Sequence, residues 1–132
     1  MNMRQLHTPD LMAYRQLGTI KTYAKMVITN QVWEMVKSGQ ADLWRIEGDG
    51  LIGTVALCID NGELLIYQAA GYDHEGRFCE KFKPLIMDYA RSIGVKTIRA
   101  HTRSNALARI YRRLFDKFSI YRGEYVFKAV VA

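Results

Sequence analysis

Hydrophobic and polar positions along the chain follow two different periods. Three short apolar runs come in close succession: Ala41–Glu47 with Leu43 and Trp44, Leu51–Ile59, and Glu63–Ala69. Gly48-Asp49-Gly50 and Asp60-Asn61-Gly62 separate them. Such pairs supply the positive φ that tight hairpin turns need. The three runs therefore predict an antiparallel meander. Beyond them the period lengthens. Phe78, Phe82, Leu85, Ile86, Tyr89 and Ile93 fall on one face of a helix, and Gly94 is its stop. Val95–Thr102 reads as a strand. Leu107, Ile110, Tyr111 and Leu114, with Phe118 beyond, form a second stripe and predict a helix over Asn105–Phe115. Tyr121–Val131 closes as a strand.

Ahead of the meander, Asn2–Leu6 reads as a short strand. Thr8 is the expected cap and Pro9 the first position of a helix carrying Leu11, Tyr14, Arg15 and Leu17. Val27–Val36, with Val32, Met35 and Val36 apolar, is a second helix that Gly39 ends. The order β-α-α-β-β-β-α-β-α-β predicts an α/β fold, a mixed central sheet with helices on both faces. At 132 residues the chain is expected to form one domain, 1–132. Pro84 removes a helical amide, which predicts a helix start near Glu80 or Lys81.

Composition changes this picture little. Apolar residues make up 49% and charged residues 24%, ordinary globular usage that argues against disorder. Cys58 and Cys79 are too few for a disulfide framework. Met1–Leu6 lacks the apolar stretch of a signal peptide, and no run reaches the length of a membrane span. A soluble, cytoplasmic protein is the expectation. Charge is more informative. Residues 1–75 carry 6 Lys/Arg against 9 Asp/Glu, whereas residues 76–132 carry 13 against 4. The second half thus suits an anion: nucleic acid, a polyphosphate cofactor or an acidic partner, with a solvated basic surface as the plain alternative.

Two stretches carry a resemblance. Met87-Asp88-Tyr89-Ala90-Arg91-Ser92-Ile93-Gly94-Val95-Lys96 resembles the end of the central helix and the start of the next strand in the GNAT superfamily of acyl-coenzyme A-dependent N-acyltransferases. Asn105-Ala106-Leu107-Ala108-Arg109-Ile110-Tyr111-Arg112-Arg113-Leu114 resembles that family's Asn-x-x-Ala-x-x-x-Tyr pattern. The closing Gly-Phe is replaced by Phe115-Asp116. The family's pyrophosphate loop, Arg/Gln-x-x-Gly-x-Gly/Ala, falls on His74-Glu75-Gly76-Arg77-Phe78-Cys79. There His74, Arg77 and Cys79 replace the signature residues. Lys81-Phe82-Lys83-Pro84-Leu85-Ile86-Met87-Asp88-Tyr89 is also similar to a stretch of short phage internal virion proteins with a degenerate GNAT-like fold. That similarity implies a phage-encoded protein in a bacterial host cell.

The resemblance implies a GNAT-like domain, acetyl-coenzyme A or another acyl-coenzyme A as cofactor, and an amine acceptor of unknown identity that attacks the thioester directly. It implies cofactor binding by His74, Gly76, Arg77, Phe78 and Cys79 at a helix N-terminus, where amides and dipole favour phosphate. Side chains at 77 and 79 would crowd that approach, whereas Arg77 would offer a charge to phosphate. It implies carbonyl polarisation by a strand amide near Gln68 and Ala69, and protonation of the leaving thiolate by Tyr111. Asn105 either caps its helix or bonds the cofactor arm. The plain readings are a fully paired strand and a core tyrosine.

Glu63, Asp73, Glu75 and His101 are the candidates for general base. Cys79, at a helix start, is a candidate for a lowered thiol pKa, while Cys58 suits the core. Tyr14, Tyr23 and Trp33 either line an acceptor site or pack. Arg103, Arg109, Arg112, Arg113 and Lys117 cluster around the last helix, suiting the 3′-phosphate end of coenzyme A, a nucleic-acid backbone or solvent. His7, His74 and His101 share no metal-ligand spacing, and there is no P-loop or dinucleotide fingerprint. The rival expectation is a non-catalytic GNAT-like domain for binding or assembly.

Overall fold

Paired positive-φ residues mark the hairpins. The computed structural model describes residues 1–7, 10–17 and 32–132. In it, Asp49-Gly50 (φ 53° and 80°), Asn61-Gly62 (52° and 75°) and Arg122-Gly123 (50° and 79°) each join two antiparallel strands. The elements are β1 (Asn2–Leu6), α1 (Leu11–Leu17), α2 (32–37), β2 (Asp42–Gly48), β3 (Leu51–Asp60), β4 (Glu63–Asp73), α3 (Phe78–Ile93), β5 (Thr97–Thr102), α4 (Asn105–Leu114), β6 (Lys117–Tyr121) and β7 (Glu124–Val130). The strands are hydrogen-bonded in the order β1-β2-β3-β4-β5-β7-β6, a seven-stranded sheet. It is mixed: β4 and β5 are parallel, while β1–β2, β2–β3, β5–β7 and β6–β7 are antiparallel.

The chain divides into two compact units. The first comprises Met1–Cys58 and Tyr67–Phe78, the second Ile59–Ile66 and Cys79–Ala132. In the first, Leu6, Ala13, Leu17, Val32, Trp33, Leu43 and Ala56 form a core on which Val36 and Tyr67 pack. Trp33 is thus a core residue. In the second, the buried residues of α3 are Cys79, Phe82, Ile86 and Ala90. Ile98, Ala100, Ala108, Tyr111, Phe115, Phe127 and Ala129 are buried in the same unit.

Several expectations are corrected. The last strand is a hairpin. Phe118 lies on β6, stacked on Tyr125 at 5.8 Å, rather than on the stripe of α4. Gly123 supplies the turn, but an Arg-Gly pair inside an apolar run gives a weaker signal than Asn-Gly. β4 extends to Asp73, past the expected end at Ala69. α3 starts at Phe78, so Pro84 stands inside it. Its four buried apolar side chains outweigh the one amide bond that the proline deletes. Asp10 caps α1, its Oδ1 accepting the Ala13 amide at 2.8 Å. Thr8, Pro9, Tyr23 and residues 27–31 lie outside the described residues. Gly39 ends α2 as expected, with φ 78° and its amide donating to the Val36 carbonyl at 3.2 Å.

Candidate active site

The first unit holds the loop that leads into α3. Asp73 ends β4 with its side chain wholly buried. Its Oδ2 accepts the Arg77 amide at 2.7 Å, and its carbonyl accepts the Gly76 amide at 2.9 Å. Gly76, at φ 71°, makes the reversal. One carboxylate therefore folds 73–77 into a turn that delivers the chain to the first residue of α3. The side chains of His74 and Arg77 remain exposed on this turn. The His74 amide donates to the Gly50 carbonyl at 3.1 Å. Its imidazole lies against Gly50, where an added Cβ would meet Nδ1 at 1.7 Å. His74 thus clasps the β2–β3 turn.

Phe78 seats the helix. Its ring lies on two glycines: a Cβ on Gly53 would meet its Cε2 at 2.5 Å, and one on Gly71 would meet it at 2.3 Å. A Cβ on Gly71 would also meet Gly53 Cα at 2.7 Å. The two glycines therefore face each other across β3 and β4 and leave a flat floor for the ring. Gln68 and Ala69 are half-buried on β4. The β4–β5 ladder has its last register pair at Ile66–Ala100, and β4 then runs on from Tyr67 to Asp73.

The second unit holds Cys79, Asn105 and Tyr111. Burial pushes the Cys79 thiol up to about 12, with the Glu80 charge adding to it. The expected thiolate at the helix start is therefore absent: the side chain points into the core, and desolvation exceeds the pull of the helix dipole. Tyr111 is 4% exposed, its ring edge-on to Phe115 at 5.1 Å and Phe127 at 5.5 Å. Burial, followed by the Cys79 charge, holds its phenol far above the usual tyrosine range. The hydroxyl therefore stays protonated.

Asn105 does not cap α4. Ser104 does, its Oγ accepting the Leu107 amide at 3.2 Å. Asn105 Oδ1 instead accepts the Tyr125 hydroxyl at 2.7 Å.

The candidate bases are mostly engaged. On Glu63, burial would raise the pKa, but hydrogen bonds from Lys128 and Arg99 outweigh it and hold the carboxylate below its usual range. Glu63 accepts from Arg99 at 2.7 Å and pairs with Lys128 at 3.1 Å. Arg99 also bonds Asp60 and donates from Nε to His101 Nε2 at 3.0 Å. That bond leaves the His101 proton on Nδ1, which lies 4.0 Å from Glu124. Burial and the Arg99 charge lower the His101 pKa, so the imidazole is neutral with its lone pair occupied. Asp73 holds the Arg77 amide, and Glu75 is exposed on the turn.

Of the basic cluster, Arg109, Arg112 and Arg113 are exposed on α4. Arg112 lies over the Phe118 ring at 4.5 Å, and Arg113 approaches Glu80 at 3.9 Å. Arg103 precedes α4, and Lys117 belongs to β6.

Sequence reasoning missed the Asp73 brace, the glycine floor and the Arg99 network. Only the floor had a readable signal, glycines inside two predicted apolar strands.

No protein-family model and no curated protein sequence matches the chain. Solved structures do. An acetyltransferase of Bacillus subtilis in complex with CoA is 15% identical, with a TM-score of 0.65 over 98% of each chain. A GNAT family acetyltransferase of Elizabethkingia anophelis with acetyl-CoA bound is 13% identical, with a TM-score of 0.62 over 98% of this chain and 97% of that one. The ribosomal-protein-S18-alanine N-acetyltransferase of Escherichia coli is 10% identical, with a TM-score of 0.63 over 99% of this chain and 94% of that one. At these identities the likeness speaks to architecture: the chain has the fold of the GNAT acetyltransferases.

Proposed function

We propose that the chain is an acyl-coenzyme A-dependent N-acyltransferase. One observation carries the reading: Tyr111, the residue at the tyrosine position of the GNAT-like pattern, is a buried phenol on α4 of a GNAT fold, held in its protonated form by burial. The coenzyme thioester, when bound, supplies the activated acyl group and a leaving thiolate. The chain's residues fit such a group. The start of α3 presents the positive end of the helix dipole, which suits phosphate. Arg77 is exposed beside it and adds a charge. Cys79 faces inward and does not crowd the approach. His74 and Gly76 shape the turn and Phe78 anchors it. The β4 amides near Gln68 and Ala69 would polarise the thioester carbonyl, and Tyr111 Oη would supply the proton for the leaving sulfur. Asn105 is held by Tyr125 at the start of α4.

A thiol-release assay with acetyl-coenzyme A and a panel of primary amines and peptide N-termini tests this. Amine-dependent thiol release is the expected result, and its absence with every acceptor refutes the reading.

A second reading is a non-catalytic domain of the same fold, used for binding or assembly, as in a phage particle. It is favoured by the Asp73 carboxylate, which already occupies the Arg77 amide. Under that reading the chain binds no coenzyme.

A further inference from the structure

We infer that the chain forms a two-fold homodimer by antiparallel pairing of β6 with β6 of a second copy, centred on Ser119. Among the described residues β6 is an outer strand of the sheet, paired on one side with β7. All five of its residues are exposed, and Ile120 is 65% exposed. The two-residue turn at Arg122-Gly123 makes Tyr121–Glu124 the first hydrogen-bonded pair. Ser119–Val126 and Lys117–Lys128 then follow as hydrogen-bonded pairs, so Phe118 and Ile120 turn their amides and carbonyls outward. An apolar edge of this kind recruits another strand unless its charges forbid it.

The strand complements itself, which selects a second copy as the occupant. In the register centred on Ser119, Phe118 of each copy faces Ile120 of the other. Every outward amide and carbonyl at these positions then finds its counterpart. Lys117, the charge that would repel a like strand, faces Tyr121 rather than another lysine. The Asp116 end meets the Arg122 end, so opposite charges lie at the same place, with Asp116 Oδ2 also accepting the Val130 amide of its own chain at 2.7 Å. Registers centred on Phe118 or Ile120 would set Asp116 against Ile120, or Arg122 against Phe118. Apolar, cation–aromatic and ionic cross-strand pairs each add a fraction of a kcal/mol at most. So short an edge gives a weak, concentration-dependent dimer.

Sedimentation velocity over a concentration series tests the pairing, together with three variants. Ile120→Pro deletes an outward amide and leaves the β7 ladder intact. It is expected to be monomeric where the parent is partly dimeric. Ser119→Cys places two thiols on the axis, in a non-hydrogen-bonded pair within disulfide reach. It is expected to form a covalent dimer in a glutathione redox buffer, above the level of the parent. Tyr121→Cys sets its thiols roughly 14 Å apart along the strands and is expected not to cross-link. A parent that stays monomeric at high-micromolar concentration, with no cross-link at position 119, overturns the inference. Equal cross-linking at 119 and 121, or a dimer that forms with no cross-link at 119, also overturns it.

Discussion

The seat of α3 can be tested by a double-mutant cycle on Gly53 and Phe78. A methyl on Gly53 would lie 2.5 Å from Cε2 and 3.0 Å from Cζ of Phe78, but 3.3 Å from the Ala70 carbonyl. The severe overlaps are therefore with one side chain, and the backbone contact is only tight. Overpacking of this size costs about 1–3 kcal/mol, so Gly53→Ala should destabilise the parent by about 2 kcal/mol. In a Phe78→Ala background both ring contacts vanish. The same substitution should then be neutral or stabilising by up to about 1 kcal/mol, since alanine loses less chain entropy than glycine in a strand. The coupling is thus about 2–3 kcal/mol, well outside additivity. Urea unfolding reads it directly. With a slope of about 2 kcal/mol/M, Gly53→Ala lowers the midpoint by about 1 M in the parent and not in Phe78→Ala. An equal loss in both backgrounds would refute the glycine floor.

Three further outcomes follow from the same structure. Tyr111→Phe removes a hydroxyl and keeps the packed ring, so the urea midpoint should change little while kcat falls about 10²–10⁴-fold; an unchanged kcat removes Tyr111 from the chemistry. The Cys79 thiol is raised from 9.0 to about 12. The unfolded chain loses that proton first, so stability is full below about pH 9 and declines above it. Urea midpoints at about pH 8 and about pH 10 should show this decline, flattened in Cys79→Ala. Glu63→Gln leaves the guanidinium of Arg99, whose side chain is 11% exposed, with one carboxylate partner. It should cost about 1–3 kcal/mol in thermal or urea unfolding.

The readable parts of the fold were those where local chemistry and tertiary structure agree. Asp and Asn followed by Gly favour positive φ locally, and Asp49-Gly50 and Asn61-Gly62 adopt it here, so the meander was visible. The stripe of α3 was visible because Phe82 and Ile86 anchor it in the core beside Cys79 and Ala90, whereas Ile93 at its end is 42% exposed. Arg122-Gly123 was missed because an arginine at φ 50° carries no local signature, and the strands it joins are short. Tyr111 was found by pattern, and its place on the apolar stripe already gave the core tyrosine that its 4% exposure bears out; what spacing does not reveal is its aromatic neighbours, Phe115 and Phe127. Asp73 is a candidate base in the sequence by residue type and place in the chain alone. Only the fold shows its oxygen on the Arg77 amide. His101 had the right ordinary pKa for a base, yet Arg99 two residues away on the same strand face occupies its lone pair.

The most direct test of the account is a calorimetric titration of the protein with acetyl-coenzyme A, repeated on Arg77→Ala. Saturable binding at one site per chain is expected, with a rise in Tm with ligand and affinity weakened about tenfold by loss of the Arg77 charge. No heat and no shift in Tm at millimolar ligand would contradict it, leaving a GNAT fold whose loop is closed by Asp73.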